Sequence, residues 1–430
     1  MVNRVRVLLL STTTGYQLRS FGDAAGRLGI ELVLATDRCH HLDDPWRDGA
    51  IPVRFHDEDA SLRAVLAAAE ARPLSGVLAV GDRPTGLAAR VARALDLPGN
   101  DPEGAEASRS KKEMRRRFVA AGMRAPWFVE LAPDDDLEAL AARIAYPCVV
   151  KPLGLSGSRG VIKAESPADL QAAVRRVRTL LARPELRAQR SGLDDTLLVE
   201  GFIDGHEYAI EGVLTGGTLR VLALFDKPEP LDGPFFEESI YVTPSGLLPA
   251  DQQAIAEEVQ RATRALGLQH GPVHAECRVG RDGVTMLEVA ARPIGGLCSK
   301  VLRFESDGST APLEELLLRH ARGEDVSGFA RERAAAAVMM IPIPRRGIYK
   351  RVRGERGAKE VAYVEDVRVT AKPDQLLEPL PEGGSYLGFI FSRAPEPAAA
   401  VAALRDAHAR LTFEIDPALR VIRETLNAEG

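Results

Sequence analysis

The chain is short of cysteine, of long apolar runs and of lysine, and each shortage argues against a class of function. Its four cysteines, Cys39, Cys148, Cys277 and Cys298, form no Cys-x-x-Cys pair and no Cys/His cluster. That speaks against a thiolate zinc centre or a disulfide scaffold and fits a reducing cytoplasm. The apolar opening at 5–10 is interrupted by Arg6 and is too short for a signal segment. No stretch approaches the roughly 18 uninterrupted apolar residues a membrane-spanning helix needs. Neither sign of charge dominates: 56 Lys and Arg stand against 61 Asp and Glu, a net charge of −5. Neither nucleic acid nor an anionic membrane is therefore expected as the main partner. Two phosphate-binding signatures are also missing, the GxGxxG of dinucleotide folds and the Walker GxxxxGK[ST]. Internal repeats and low-complexity linkers are absent too. Because lysine is scarce beside arginine, a lysine inside a motif carries more weight.

What is present is a chain of 430 residues, 45% hydrophobic, long enough for several structural units. Residues 1–104 alternate strand signals (5–10, 30–35, 76–81) with helix signals (17–28, 60–71, 85–95). That rhythm predicts a doubly wound parallel sheet, α/β in class, with helices on both faces. A polar turn at 12–16 follows its first strand. The Pro/Gly/Asn/Asp-rich stretch 98–102 marks a boundary. Residues 105–196 read as a helix at 105–121, a helix at 134–145, a strand at 147–151, a Gly/Ser loop at 154–160 and a short strand at 161–163. A helix at 166–181 with Ser166 as its cap and a polar loop at 183–195 complete this unit. Residues 197–330 carry strands at 196–199, 207–214, 219–225, 272–279 and 284–290. Residues 331–430 read as an α+β unit, with strands near 336–341, 361–363, 367–370 and 386–392 and a helix at 395–411.

Two acids carry the chemistry. The sequence Val279-Gly280-Arg281-Asp282-Gly283-Val284 reads as a hairpin turn of three residues, with Gly283 where a positive φ is needed. Counting equal steps back along both strands sets Glu276 opposite Glu288 and His274 opposite Ala290. Directly opposed Cβ atoms lie roughly 4.5–5.5 Å apart. Two carboxylates that close repel unless a cation lies between them, and hard oxygen ligands suit Mg²⁺ or Mn²⁺. Two solvated glutamates on an edge hairpin would give the same pattern. Four residues on, Arg292 precedes Pro293-Ile294-Gly295-Gly296. A guanidinium there can grip a phosphate bidentately, and the glycines let a ligand approach the backbone. A surface arginine before a turn is the plainer reading.

A second cluster is Lys151, ending an apolar strand, followed by the loop Gly154-Leu-Ser156-Gly157-Ser158-Arg159-Gly160. Its backbone amides can cradle phosphate oxygens while Lys151 supplies charge. A third is Glu200-Gly201-Phe202-Ile203-Asp204-Gly205-His206-Glu207. Backbone groups near Phe202 and Ile203 could bond an adenine edge, and Glu207 suits a pair of ribose hydroxyls. A bare Gly/Ser turn and an acidic hairpin turn are the plainer readings.

In this order the clusters resemble the ATP-grasp superfamily, with specific motifs over about residues 105–320. The resemblance implies the ATP-grasp fold and binding of ATP with Mg²⁺. It implies Lys111, in Arg109-Ser-Lys111-Lys112-Glu-Met-Arg115, as the first ATP lysine, with Lys112 as the neighbouring register. Lys151 is then the second lysine, and the 154–160 loop, including Ser156, Gly157, Ser158 and Gly160, the mobile lid. Glu200, Phe202 and Ile203 would line the adenine, Glu207 would take the ribose, and Glu276 and Glu288 would hold the metal. The family's last motif usually has an asparagine where this chain has Ala290, which puts a second Mg²⁺ in doubt.

Within the superfamily the chain looks like the bacterial carboxylate–amine ligases, including the L-amino-acid ligases. That implies a cytoplasmic enzyme joining small carboxylate and amine substrates, amino acids among them, through an acyl phosphate. Arg292 and Lys111 would be catalytic. Glu238, or failing that Glu237, would meet the substrate amine, and Gly295 and Gly296 would leave room for a side chain. A homodimer is the usual expectation. Two alternatives stay open. One is an enzyme of the purine-biosynthesis or biotin-carboxylase type using formate or bicarbonate. The other is a non-catalytic ATP-binding module.

Overall fold

The computed structural model describes residues 5–12, 17–37, 50–187 and 196–418. Cys39, the turn residues 13–16 and the end of the polar loop (188–195) lie outside the described residues.

The N-terminal unit contains β1 (Arg6–Ser11), α1 (Leu18–Leu28), β2 (Glu31–Thr36), β3 (Ile51–Pro52), α2 (Glu58–Ala71), β4 (Gly76–Val80) and α3 (Thr85–Ala94). Its sheet runs β3-β2-β1-β4, and every pairing is parallel. Strand alternation explains the layering. Val7 and Leu9 of β1 pack with Phe21 and Ala24 of α1. Leu8 and Leu10 face the other way, onto Val65 of α2 and Leu87 and Val91 of α3. Helices thus cover both faces, as a buried parallel sheet requires.

The single helix expected at 105–121 is two helices, α4 (Pro102–Arg109) and α5 (Lys111–Ala120). Ser110 breaks them: it takes an extended backbone, and its Oγ accepts the Glu113 amide at 3.3 Å. The Ser-x-x-Glu spacing of a capping box is the cause. Next come β5 (Phe128–Leu131), α6 (Leu137–Arg143), β6 (Cys148–Pro152), β7 (Ile162–Ala164), α7 (Pro167–Leu181) and β8 (Leu197–Gly201). They form an antiparallel sheet, β5-β8-β6-β7, backed by α6 and α7. This sheet closes at Gly201, a few residues past the boundary expected at 196.

The largest sheet has eight strands. It begins β13 (Gly283–Ala290), β12 (Gly271–Gly280), β9 (His206–Thr215), β10 (Thr218–Asp226), β11 (Ile240–Thr243), then continues through Ala335–Ile341, Gly388–Ala394 and Val364–Val369. Three strands from the last hundred residues therefore extend the sheet begun by residues 206–290, while packing their own core with helix Pro397–Ala409. The strand expected at 361–363 starts instead at Val364, because Tyr363 has a φ of 70° and cannot be extended. Helix Pro249–Leu266, which no sequence signal was assigned to, buries Ile255, Val259, Ala262 and Leu266 against the sheet. No helix among the described residues is long and apolar enough to cross a membrane.

Candidate active site

The β12–β13 hairpin turns one residue tighter than expected. Gly280 pairs with Gly283 around Arg281 and Asp282, and Gly283 has a φ of 100°. The partner of Cys277 is Met286, while the partner of Glu276 is Glu288, so Leu287 is an extra residue in a β-bulge. The tighter turn shifts the register by one, and the bulge shifts it back. Glu276 thus lies opposite Glu288 and His274 opposite Ala290. The bulge also places Leu287 on the wall of a cavity of about 520 Å³. Lys111, Lys151, the 154–159 loop, Glu200, Phe202, Ile203, Glu207, Glu238, Glu276, Glu288, Arg292, Gly295 and Gly296 line the same cavity. Glu237 and Gly160 are not among its lining residues.

The lysines separate clearly. Lys111 Nζ donates to the Leu155 carbonyl of the glycine loop at 2.7 Å and lies 3.7 Å from Glu288. Lys112 pairs with Glu130 at 2.8 Å and does not line the cavity. The break at Ser110 sets this, because Lys111 opens its own helix.

At one end of the cavity Glu200 is fully buried. Arg115 donates to both its oxygens (2.8 and 3.2 Å), and Lys151 donates to Oε1. Burial pushes the Glu200 carboxyl up, but the two cations outweigh it and hold its pKa at about 2. Glu200 therefore fixes Lys151 in place. Nearby, the Phe202 and Phe236 rings stack with centroids 6.3 Å apart, and the Arg278 guanidinium lies 4.9 Å from the Phe202 ring. The Phe202 amide donates to the Pro147 carbonyl at 3.1 Å, and the Ile203 carbonyl accepts from Arg278 at 2.9 Å. A carbonyl oxygen has a second lone pair, so Ile203 keeps capacity for a base edge. Phe202, Ile203 and Phe236 thus give this part of the cavity wall an apolar, aromatic surface, which suits a purine.

At the other end Glu207, Glu238 and Glu276 offer oxygens within 4.8 Å of one another. Sequence reasoning missed what holds them together: Lys227 Nζ donates to all three, at 2.7, 2.7 and 2.9 Å. Both oxygens of Glu207 are engaged, by Lys227 and by Arg278 Nε at 3.1 Å. Both oxygens of Glu238 are engaged as well, by Lys227 and by the Tyr241 hydroxyl at 2.7 Å. Glu276 differs. Its contacts from Lys227, Tyr241 (3.1 Å) and His274 (3.7 Å) all fall on Oε1. Glu288 has Lys111 only at 3.7 Å. Glu276 and Glu288 therefore retain ligating oxygens that Glu207 and Glu238 have already committed. Their donor chemistry fits a hard divalent cation.

Charges follow the packing. Burial raises the Glu276 carboxyl, but Lys227 and His274 outweigh it and hold it well below the usual range. Burial and the Glu276 charge push Glu238 up to about 7. Burial lowers His274, yet Glu211 and Glu276 bring it up to about 9. His274 Nδ1 lies 3.2 Å from Glu211 and Nε2 lies 3.7 Å from Glu276, so the ring bridges two carboxylates.

The far wall comes from the N-terminal unit. Asp82 binds Arg292 at 2.7 and 3.3 Å. The Ile294 amide donates to Glu211 at 3.1 Å, and its carbonyl accepts from Gln17. A Cβ on Gly295 would meet open space, while one on Gly296 would come within 3.2 Å of Phe389. Of the missed residues, Lys227 was readable as a scarce lysine beside an acidic stretch. Arg115 was readable one helical turn from Lys111. Asp82, Glu211, Tyr241 and Arg278 gave no local signal.

Comparison with known proteins bears on the family and the fold. Residues 144–301 match the ATP-grasp domain family, residues 22–99 the ATP-grasp N-terminal domain, and residues 339–416 the L-amino acid ligase C-terminal domain 2. The crystal structure of an L-amino acid ligase from Bacillus licheniformis superposes with a TM-score of 0.78 at 26% identity, covering 97% of this chain and 100% of that one. An uncharacterised protein of Sinorhizobium fredii is 26% identical over 96% of this chain and 84% of its own length. An alanine–anticapsin ligase of Bacillus subtilis is 26% identical over 48% of this chain; that match spans 46% of the ligase, about half its length.

Proposed function

The chain belongs to the ATP-grasp superfamily as an ATP-dependent carboxylate–amine ligase, and from that premise we propose that it joins two amino acids into a dipeptide or a closely related amide. The observation that carries this reading is the single cavity in which Lys111, Lys151, the glycine loop, Arg292 and the Glu276–Glu288 pair converge.

In the proposed reaction the wall of Phe202, Ile203 and Phe236 takes the adenine, and Glu207, whose oxygens each keep a second lone pair beside Lys227 and Arg278, accepts from the ribose. Lys151, held by Glu200, meets the proximal phosphates, and Lys111 the distal ones. Glu276 and Glu288 hold Mg²⁺, which when bound neutralises charge on the phosphate tail. A substrate carboxylate oxygen attacks the γ-phosphorus; the bond from that phosphorus to the bridging oxygen breaks, and ADP leaves. Closure of the 154–160 loop keeps water from the acyl phosphate. The amine nitrogen then attacks the acyl carbon, the carbon–oxygen bond to phosphate breaks, and the nitrogen loses its proton. Arg292 faces the oxyanion that forms on the way. Glu238, braced by Lys227 and Tyr241, uses the remaining lone pairs of its oxygens for the substrate ammonium, and the open space beside Gly295 admits its side chain.

The test is phosphate release from ATP across pairs of amino acids, with each product identified by mass. The reading requires ADP and phosphate in equal amounts with an amide, and only when a carboxylate and an amine are both present. Turnover driven by bicarbonate or formate alone would replace it with the carboxylase-type reading. Tight ATP binding without ADP formation on any pair would make the chain a binding module.

A further inference from the structure

We propose that Asp82 is the positioning residue for Arg292, so that the N-terminal sheet sets the geometry of the acyl-transfer end of the cavity. This inference rests on the reading of Arg292 given above. Asp82 lies in the turn between β4 and α3, where its carbonyl accepts from the Thr85 amide at 3.2 Å and the Thr85 hydroxyl at 2.7 Å. Its backbone is pinned before its side chain does anything.

The carboxylate then takes one edge of the guanidinium. Oδ1 accepts from Arg292 Nε at 2.7 Å and Oδ2 from Nη2 at 3.3 Å. Arg292 Nη1 donates to the Pro293 carbonyl at 3.1 Å. A guanidinium carries five N–H groups in a fixed plane. Three are spent on these contacts, which leaves one on Nη1 and one on Nη2. The Nε–Nη2 edge belongs to Asp82, so these remaining N–H groups are what the guanidinium offers the oxygens of a phosphate or an acyl phosphate. Arg292 is itself almost fully buried, so its plane is not free to wander.

The rest of the segment is held the same way. Gln17 of the N-terminal unit donates to the Ile294 carbonyl, and Glu211 of β9 accepts the Ile294 amide. Two residues of the N-terminal unit therefore bracket the strap from Arg292 to Ile294. Without Asp82 the guanidinium would keep its charge but lose its orientation. Glu288, close enough to be felt by Arg292, would become its competing partner. The N-terminal unit thus contributes a working part of the site.

The test uses the full chain and two readouts. In the unliganded protein the Arg292 Nε–H resonance, assigned by its loss in Arg292→Lys, should move on Asp82→Asn and largely return with Asp82→Glu. With substrates, Asp82→Asn should lower kcat by about 100-fold, the cost of a misplacement of about 1 Å. KM for ATP should stay within about threefold, because the lost interaction belongs to the transition state. In an Arg292→Lys background the same Asp82 change should cost less than about threefold, since the partner is already gone. An unmoved resonance, an unchanged kcat, or an equal fold-loss in both backgrounds would overturn the proposal. Should the unmodified protein ligate no substrate pair, the ligase reading fails, and the resonance still decides whether Asp82 holds Arg292.

Discussion

The two ends of the cavity use the same ingredients, buried carboxylates and buried cations, to opposite effect. Around Glu200 the account closes: Arg115 and Lys151 occupy both oxygens of a residue 1% exposed. Around Lys227 it does not close. One ammonium serves three carboxylates, and Glu276 takes all its contacts on one oxygen. A saturated cluster holds shape, and an unsaturated one accepts a ligand. The difference teaches where to look for chemistry: not where charge is densest, but where donors and acceptors remain uncommitted.

The contrast breaks most sharply at Glu276. Glu276→Gln should cut kcat by at least about 1,000-fold, equivalent to roughly 4 kcal/mol of transition-state stabilisation. Its melting temperature should stay within a few degrees, because the shape-holding cluster is elsewhere. Steady-state phosphate release beside a thermal melt checks both halves.

At the closed end the order reverses. Arg115→Met leaves Glu200 buried with one cation and should cost about 3–5 kcal/mol in urea unfolding. The acid limb sharpens this. The Glu200 carboxyl is lowered from its ordinary 4.5 to about 2, so the stability it confers is present above about 4.5 and is lost as pH falls toward 2. With Arg115 removed that window narrows, and acid unfolding followed by circular dichroism should move to higher pH.

Lys227→Met sharpens the comparison from the open end. Three carboxylates without their ammonium should bind Mn²⁺ about tenfold more tightly in the absence of nucleotide, roughly 1.4 kcal/mol, by calorimetric titration. Unchanged affinity would mean that Lys227 does not compete with a cation there. An effect of similar size belongs to the substrate wall. Gly296 has a φ of 62°, so Gly296→Ala should cost about 1–2 kcal/mol of stability in urea unfolding. Its new methyl would press on Phe389 and raise KM for bulky substrates more than for small ones.

Much of this site is legible in the sequence because it lies on short, local patterns. The glycine loop, the strand-ending Lys151 and the opposed acids each occupy a few consecutive residues or one hairpin. Even so, the pairing of Glu276 with Glu288 follows from a three-residue turn that the protein does not have. A tighter turn and the bulge at Leu287 cancel, and a period of two along a strand cannot reveal a cancelling pair. What stays hidden is the long-range pairing of charges. Nothing near Asp82 points to Arg292, and nothing near Arg115 points to Glu200, because those contacts exist only after three sheets assemble. Besides Lys227 and Arg115, two further features are legible locally. Ser110-x-x-Glu113 marks the helix break that aims Lys111, and Ile255, Val259, Ala262 and Leu266 show the spacing of an amphipathic helix.

The most direct test follows the oxygen. With a substrate labelled by ¹⁸O in its carboxylate, an acyl phosphate requires one labelled oxygen to leave with the phosphate when the amine attacks. The account predicts ¹⁸O in inorganic phosphate in step with amide formation. Label recovered in AMP, or retained wholly in the amide with none in phosphate, would contradict it.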